Sequence, residues 1–206
     1  AYDDYSWLSR FGDPGFRRHA ASASIAAAVV LRLANADILP YDYAEEARTL
    51  RAEVAPLDSA MRVRRWSIST DPLIAAIDRM GQAADAFAAA RDRVLGSEFG
   101  SGTRAAGSGG GRLPRSSLDN ANRELVRVER ALTRPEGLRT RPWFRSLTYA
   151  SDEDNGYADL ALPSLAEAIH AGDQPLAARE LEDLVSRFDA AAAALHDAAR
   201  ALVPER

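Results

Sequence analysis

The side chains that most often perform chemistry are few in this sequence, and they are poorly arranged for catalysis. The histidines are His19, His170 and His196. None of them belongs to a His-Glu-x-x-His motif or has a second histidine at a metal-binding spacing. The chain has no cysteine and no Gly-x-Ser-x-Gly motif, so it lacks a thiol nucleophile and the sequence mark of a serine nucleophile. We therefore predict no catalytic residue, no metal ligand and no cofactor in this chain.

Acidic residues form three clusters, namely Glu45/Glu46, Asp152–Asp154 and Glu180/Glu182/Asp183. The first and the third are expected on polar faces of helices, where carboxylates need no catalytic explanation. The second lies in a segment that has no helical periodicity but several aromatic residues. A solvated acidic turn is the expected structure there, and a contribution to a binding site is the alternative.

The elements that must position these residues are helices, because apolar residues recur at steps of three and four along most of the chain. The predicted helices begin and end near Asp13 and Pro40, Tyr43 and Met61, Asp71 and Val94, Ser117 and Leu132, Ser164 and Gly172, and Asp173 and Leu202. Helices of this length bury their apolar faces by packing side by side. The predicted fold class is therefore all-α, a bundle of four to five long helices.

The first long helix has the strongest start signal, since Asp13 is a good N-cap residue and Pro14 a good first helical residue. Its apolar side chains form two strips, so we expect neighbours on more than one side. Two further local features are predicted. Pro56 should kink or break the second helix, and Ser164-Leu165-Ala166-Glu167 reads as a capping box.

Two segments depart from the helical pattern. Residues 96–116 are rich in glycine and serine and are predicted to be a flexible linker. Residues 133–162 lack helical periodicity, although they carry Trp143, Phe144, Tyr149 and Tyr157. A long irregular loop with this many aromatic residues indicates a functional segment rather than a disordered one.

Composition excludes some partners. The 26 basic residues, all arginine, and the 30 acidic residues leave a net charge of −4 with no basic cluster suited to nucleic acid. No apolar run approaches the roughly 20 residues of a membrane span, and no signal peptide is recognisable. The chain opens without an initiator methionine, and we interpret it as part of a longer protein.

Three ordered motifs give the chain a resemblance to a known family. The motifs are Asp13-Pro14-Gly15-Phe16 with Leu33-Ala34-Asn35 and Leu39-Pro40-Tyr41-Asp42, then Val128–Leu132 with Gly137-Leu138 and Arg141–Arg145, and finally Asn155-Gly156-Tyr157-Ala158. In this order they resemble the helical dimerisation domain of the transferrin receptor and glutamate carboxypeptidase II.

The resemblance implies one helical dimerisation-type domain over residues 1–206, with residues 1–12 at the junction with an upstream peptidase-like domain. Such a domain forms a homodimer and closes the substrate cleft of a zinc peptidase on the same polypeptide. The zinc and its ligands would lie in that upstream domain, the substrate would be a peptide, and the isolated chain would be inactive. An extracellular or periplasmic location is also implied.

The resemblance assigns substrate binding to the loop around Tyr157. In the family, the lysine and tyrosine of an Asn-Lys-Tyr sequence grip the carboxylate of the substrate's terminal residue, and Asn155 and Tyr157 match the asparagine and the tyrosine of that sequence. Gly156 stands where the family has lysine, so specificity for a C-terminal glutamate is in doubt, unless Arg139 or Arg141 supplies the charge. The alternative is the dimerisation module of a non-enzymatic, transferrin-receptor-like binding or scaffold protein.

Overall fold

The computed structural model describes residues 4–99 and 113–203, with the side chains of residues 97–99 left out. The chain divides into two compact units, residues 1–40 and 41–206. The core of the linker predicted at 96–116 lies outside the described residues. Its two ends are helical, because the flanking helices extend into it from both sides. Among the described residues, no helix is long and apolar enough to cross a membrane.

The first unit is a succession of helical turns followed by one long helix. The turns are α1 (Tyr5–Trp7), a π-helical segment (Leu8–Gly12) and a 3₁₀ turn (Pro14–Phe16), and the long helix is α2 (Arg17–Ala34). The helix begins three residues later than predicted, because Gly15 and Phe16 both have positive φ values. The Asp13 carboxylate still caps it and accepts hydrogen bonds from the backbone N–H groups of Arg18 (3.1 Å) and His19 (2.9 Å).

The side chain of Asp13 also pairs with the ring of His19, whose Nδ1 lies 2.7 Å from Oδ2. This hydrogen bond, together with the two backbone donors, lowers the pKa of Asp13 from 3.8 to about 2.

The long helix α2 is exposed along its whole length. None of its side chains is buried, and Ile25, Val30 and Leu31 are each more than 60% exposed. The prediction that α2 is covered on more than one side is therefore wrong for this chain by itself.

The second unit is the helical bundle. Its long helices are α3 (Tyr43–Val63), α4 (Asp71–Phe99), α5 (Arg115–Ala131) and α7 (Gln174–Ala201), and a short helix, α6 (Pro163–His170), precedes the last. Helix α7 packs against α4, α5 and α6, while α3 packs against α4. The predicted all-α bundle with four to five long helices is confirmed.

The core of the bundle contains the apolar faces that the periodicity predicts. Its largest fully buried side chains include Leu50, Met61, Leu73, Ile77, Met80, Phe87, Leu125 and Phe188. Two helix starts are fixed by carboxylates, since Asp42 accepts from the N–H of Glu45 (3.0 Å) and Asp173 from that of Leu176 (2.9 Å). The start of the last helix at Asp173 was predicted from the sequence, whereas the cap at Asp42 was not.

Two local predictions are corrected. Of the kink or break expected at Pro56, no break forms, because helix α3 continues through this residue. Pro56 is exposed, so water can bind the carbonyl that loses its partner. Ser164 does not cap α6. The N-cap is Leu162, Pro163 takes the first helical position, and Glu167 is bonded to other side chains instead of reaching back.

The irregular segment after α5 is held by backbone hydrogen bonds and by buried leucines. Leu147 N–H donates to Leu132 O (3.0 Å), and Leu138 N–H donates to Phe144 O (2.9 Å). Gly137 closes this loop with a φ of 70°, and a Cβ there would lie 2.1 Å from Pro142 O. The segment then forms a hairpin of β1 (Tyr149–Ser151) and β2 (Asp159–Ala161), which the sequence did not predict.

Candidate binding loop

The candidate site is the turn that joins β1 to β2, residues 152–158. The strands pair antiparallel, with Ala150 opposite Leu160 and Ser151 opposite Asp159. The turn is closed across its base by two backbone hydrogen bonds, from Asp152 N–H to Ala158 O (2.8 Å) and from Ala158 N–H to Asn155 O (2.9 Å). This closure gives the turn one defined conformation.

The carboxylate of Asp152 organises the first half of the turn. Its Oδ1 accepts hydrogen bonds from the N–H groups of Asp154 (2.9 Å) and Asn155 (2.7 Å). These two donors lower the pKa of Asp152 below its usual value. Asp154 lies 3.7 Å from the ring of His170. Of the acidic run, Asp152 is therefore a structural residue of the turn.

The two residues assigned to substrate binding occupy the second half of the turn. Asn155 uses its Oδ1 to accept from the N–H of Tyr157 (3.3 Å), and the side chain of Tyr157 is fully exposed. Nothing lies within 4 Å of where a Cβ at Gly156 would be, and the φ of Gly156 is not in the left-handed region. The turn thus presents an aromatic hydroxyl outward, with open space beside it.

The arginines considered as substitutes for the family's lysine are both paired. The side chain of Arg141 is 11% exposed, forms an ion pair with Glu167, and donates from Nη1 to Ser151 O (2.7 Å). Its guanidinium also lies over the ring of Phe144, 4.6 Å from the centroid. Arg139 pairs with Asp173 at 3.0 Å. Arg141 therefore supports β1 from behind and is engaged with a carboxylate of its own.

Other residues singled out from the sequence are dispersed. His19 pairs with Asp13 in the first unit, whereas His170 lies beside the candidate turn and His196 lines a groove between α4 and α7. No group of three His, Cys, Asp or Glu side chains within residues 4–99 and 113–203 is arranged to hold a metal ion.

Sequence reasoning missed two ion pairs in which the carboxylate is buried and the arginine is mostly covered. Glu180, expected on a polar face, is buried and bonded to Arg134 (2.8 Å), which also contacts Asp183. The second pair is Arg141–Glu167. For the Arg141–Glu167 pair, the sequence offers one signal, because Arg141 precedes a proline inside the second motif that resembles the family. Its partner could not be predicted, because Glu167 was expected to bond to the backbone at the start of α6 as part of a capping box.

Comparison with known proteins identifies the family. The model of the transferrin receptor-like dimerisation domain matches residues 68–196. The chain is 30% identical over 168 residues to the Arabidopsis thaliana protein "Probable glutamate carboxypeptidase LAMP1", covering 82% of this chain and 22% of the relative.

Two further relatives are named for different activities, one as an aminopeptidase and one as an inactive metalloprotease. The Rattus norvegicus protein "Aminopeptidase NAALADL1" is 27% identical over 210 residues, which cover 95% of this chain and 25% of the relative. An "Inactive zinc metalloprotease" of Schizosaccharomyces pombe is 23% identical over 194 residues, covering 92% of this chain and 23% of the relative. The chain thus spans about a quarter of the length of these relatives. On the family match, the chain belongs to the transferrin receptor-like dimerisation domain family.

Proposed function

We propose that this chain is the dimerisation domain of a glutamate carboxypeptidase-like zinc peptidase and closes the substrate cleft of that enzyme. The relatives named carboxypeptidase and aminopeptidase support this assignment. The zinc ion belongs to a peptidase-like domain elsewhere in the parent polypeptide, and the chain is inactive on its own. The parent acts on a peptide, and its extracellular or periplasmic location is part of the same proposal.

The observation that carries this proposal is the exposure of Tyr157 on a turn fixed by Asp152 and Asn155. A hydroxyl held outward on a defined backbone can enter a cleft formed by a second domain and donate to a substrate carboxylate. The turn preorganises the backbone of Tyr157, so this part of the residue loses little conformational entropy on binding. The side chains of Asp152 and Asn155 bond within the turn, whereas those of Glu153 and Asp154 contact Thr140 and His170 outside it.

Helix α2 supports the proposed contact with a peptidase-like domain. Ile25, Val30 and Leu31 of this helix are exposed, and exposed apolar residues that lie together often mark an interaction site. The relatives are about four times as long as this chain, so they have room for a further domain that could cover these side chains. We propose that α2 packs against this domain while the bundle forms the dimer.

The test of the binding loop is Tyr157→Phe in the full-length parent, with Tyr149→Phe in β1 as the matched control. Loss of a hydrogen bond to a carboxylate should weaken substrate binding about 10- to 100-fold, seen as a raised KM. The control should leave KM unchanged. Equal kinetics for the unaltered enzyme and Tyr157→Phe would remove this residue from the site.

Gly156→Lys tests the same loop by gain of charge. The open space and the ordinary backbone at this position accept a lysine, so the protein should fold normally. The variant should prefer peptides with a C-terminal glutamate over matched peptides with a C-terminal glutamine, compared with the unaltered enzyme. An identical preference in both would show that position 156 does not face the substrate.

Dimer formation is tested on the chain itself by light scattering. We expect a dimer at micromolar concentration, and a strict monomer at high concentration would contradict the proposal.

A second function is favoured by two observations, the relative named as an inactive zinc metalloprotease and the glycine in place of lysine. In this alternative the chain dimerises a binding or scaffold protein whose peptidase-like domain holds no metal. The residues of the upstream domain discriminate between the two. Intact His, Asp and Glu ligands favour the peptidase, and their replacement favours the scaffold.

A further inference from the structure

The last residue of β1, Ser151, points its carbonyl group away from β2. The hydrogen bond from Asp152 N–H to Ala158 O (2.8 Å) makes these two residues a bonded pair. Bonded and unbonded pairs alternate along an antiparallel ladder. Ser151 and Asp159 form the adjacent pair, which is therefore unbonded, and the Ser151 carbonyl can accept a hydrogen bond only from a donor that does not belong to β2.

Arg141 supplies this donor. Its Nη1 donates to Ser151 O (2.7 Å), while its Nη2 bonds to Oε1 of Glu167 in helix α6. The second carboxylate oxygen of Glu167 accepts from the hydroxyl of Thr140 (2.9 Å). The side chains of Arg141 and Glu167 are only 11% and 7% exposed, so water competes little for these bonds. A continuous series of hydrogen bonds thus runs from α6 to the base of the turn at residues 152–158.

The guanidinium of Arg141 fixes direction as well as distance. It is planar, it uses a different nitrogen for each partner, and it lies over the ring of Phe144, 4.6 Å from the centroid. A covered ion pair adds little net stability, because the loss of hydration of two charges offsets their attraction. Its fixed geometry still orients the groups that it joins. The pair therefore matters more for where the turn lies than for the stability of the bundle.

We propose that Arg141 is a positioning residue, which is held by Glu167 and sets where the turn at residues 152–158 lies relative to α6. Tyr157 depends on this bond, because the turn that carries it begins directly after Ser151. The positioning role belongs to the chain by itself. Its effect on substrate binding rests on the function proposed above for the turn.

Amide hydrogen exchange in the 206-residue chain tests the positioning role at Asp152 and Ala158, whose N–H groups close the turn. The variant Arg141→Met/Glu167→Gln removes the donor to Ser151 O and leaves neither charge buried without its partner, so it should fold. We expect both amides to exchange about tenfold faster than in the unaltered chain, because a hydrogen bond from a charged group is lost.

The matched control is Arg134→Met/Glu180→Gln. The side chains of Arg134 and Glu180 are 14% and 9% exposed, so this pair is covered to a similar degree. Arg134 donates to Glu180, Asp183 and Gly137 O rather than to β1. The control should leave exchange of the two turn amides unchanged.

Arg141→Lys, with Arg134→Lys as its control, makes the same comparison without removing a charge. One ammonium group cannot take the places of both Nη atoms. Arg141→Lys should therefore keep its ion pair with Glu167 and fold, while its bond to Ser151 O weakens. The turn amides should exchange faster in Arg141→Lys than in Arg134→Lys, and this comparison remains decisive if the double variant does not fold.

Two results would overturn the positioning role. One is equal exchange of the turn amides in the unaltered chain and in Arg141→Lys, and the other is the same acceleration in both lysine variants. In the full-length parent, Arg141→Lys should raise KM about three- to tenfold with kcat unchanged. If the turn amides respond and KM does not, the positioning role stands and the function proposed for the turn is wrong.

Discussion

Helices α2 and α7 are similar in sequence and opposite in environment. Both are rich in alanine and carry apolar residues at helical spacing, yet α2 buries none of its 18 residues. Helix α7 buries Ala177, Glu180, Leu181, Leu184, Phe188, Ala191, Ala192, Ala194, Leu195 and Ala198. The comparison teaches that periodicity identifies the apolar side of a helix and leaves open what covers that side.

The difference has a physical cause in the neighbours available. Helix α7 lies against α4, α5 and α6, so its apolar side chains are enclosed by other helices. In the first unit α2 contacts mainly the short turn before it. Burial of apolar area is the main stabilising contribution to folding. Substitutions in the two helices should therefore have very different effects.

The largest effect is expected for Phe188→Ala in α7. Phe188 is fully buried, and removing its ring should lower the free energy of unfolding of the bundle by about 3–5 kcal/mol. Urea unfolding followed by circular dichroism measures this change. A loss below about 1 kcal/mol would mean that α7 is less tightly enclosed than the structure shows.

The next largest effect is the pH dependence of stability, which should differ in sign between the two units. In the bundle, burial and the nearby charge of Glu129 raise the pKa of the half-buried Glu46 from 4.5 to about 7. The folded state therefore holds a proton that the unfolded state has lost, and the bundle loses stability as pH rises from 4.5 through 7.

Glu46→Gln should abolish this dependence. The variant should be about 1 kcal/mol more stable than the unaltered chain at pH 8 and equally stable at pH 4, after allowance for the partial exposure of Glu46. Urea unfolding at both pH values measures the difference, with Glu45→Gln at the neighbouring exposed position as the control. If the unaltered chain and the Glu46→Gln variant were equally stable at pH 8, the raised pKa of Glu46 would be contradicted.

The first unit should respond in the opposite direction. Since the pKa of Asp13 is lowered to about 2, its contribution to the start of α2 is present above pH 3.8 and is lost as pH falls towards 2. The amide chemical shifts of Arg18 and His19, which donate to this carboxylate, should titrate with a midpoint near pH 2. A midpoint at the ordinary value of 3.8 would show that the cap is not formed.

The smallest effect is expected for Val29→Ala in α2. Val29 is about half exposed, so the substitution should change the free energy of unfolding of this chain by less than about 0.5 kcal/mol. The same substitution in the full-length parent should cost about 1 kcal/mol or more if α2 is covered there, as proposed. Thermal unfolding of both proteins provides the comparison.

The sequence predicted the elements that depend on local rules. The long helices follow from periodicity, and the start of α7 at Asp173 follows from residue type and position. The family was predicted from Pro and aromatic residues between the helices, which tolerate fewer alternatives than alanine-rich helices do. Asn155 and Tyr157 were selected on the same basis, and their role in binding stays a prediction.

What the sequence could not predict depends on tertiary partners. The strands β1 and β2 have three residues each, too few to display an alternating pattern. Ser164 and Glu167 have the spacing of a capping box, but Arg141 and Thr140, distant in sequence, bind the glutamate. The exposure of α2 is likewise a property of packing.

The open space around Gly156 has an evolutionary consequence. The turn is held by Asp152, Asn155 and the backbone, and a Cβ added at position 156 would meet no neighbour within 4 Å. Selection for folding therefore places little constraint on this position. If the loop recognises a ligand as proposed, a single codon change at 156 can alter what is recognised while the scaffold that carries it is inherited intact.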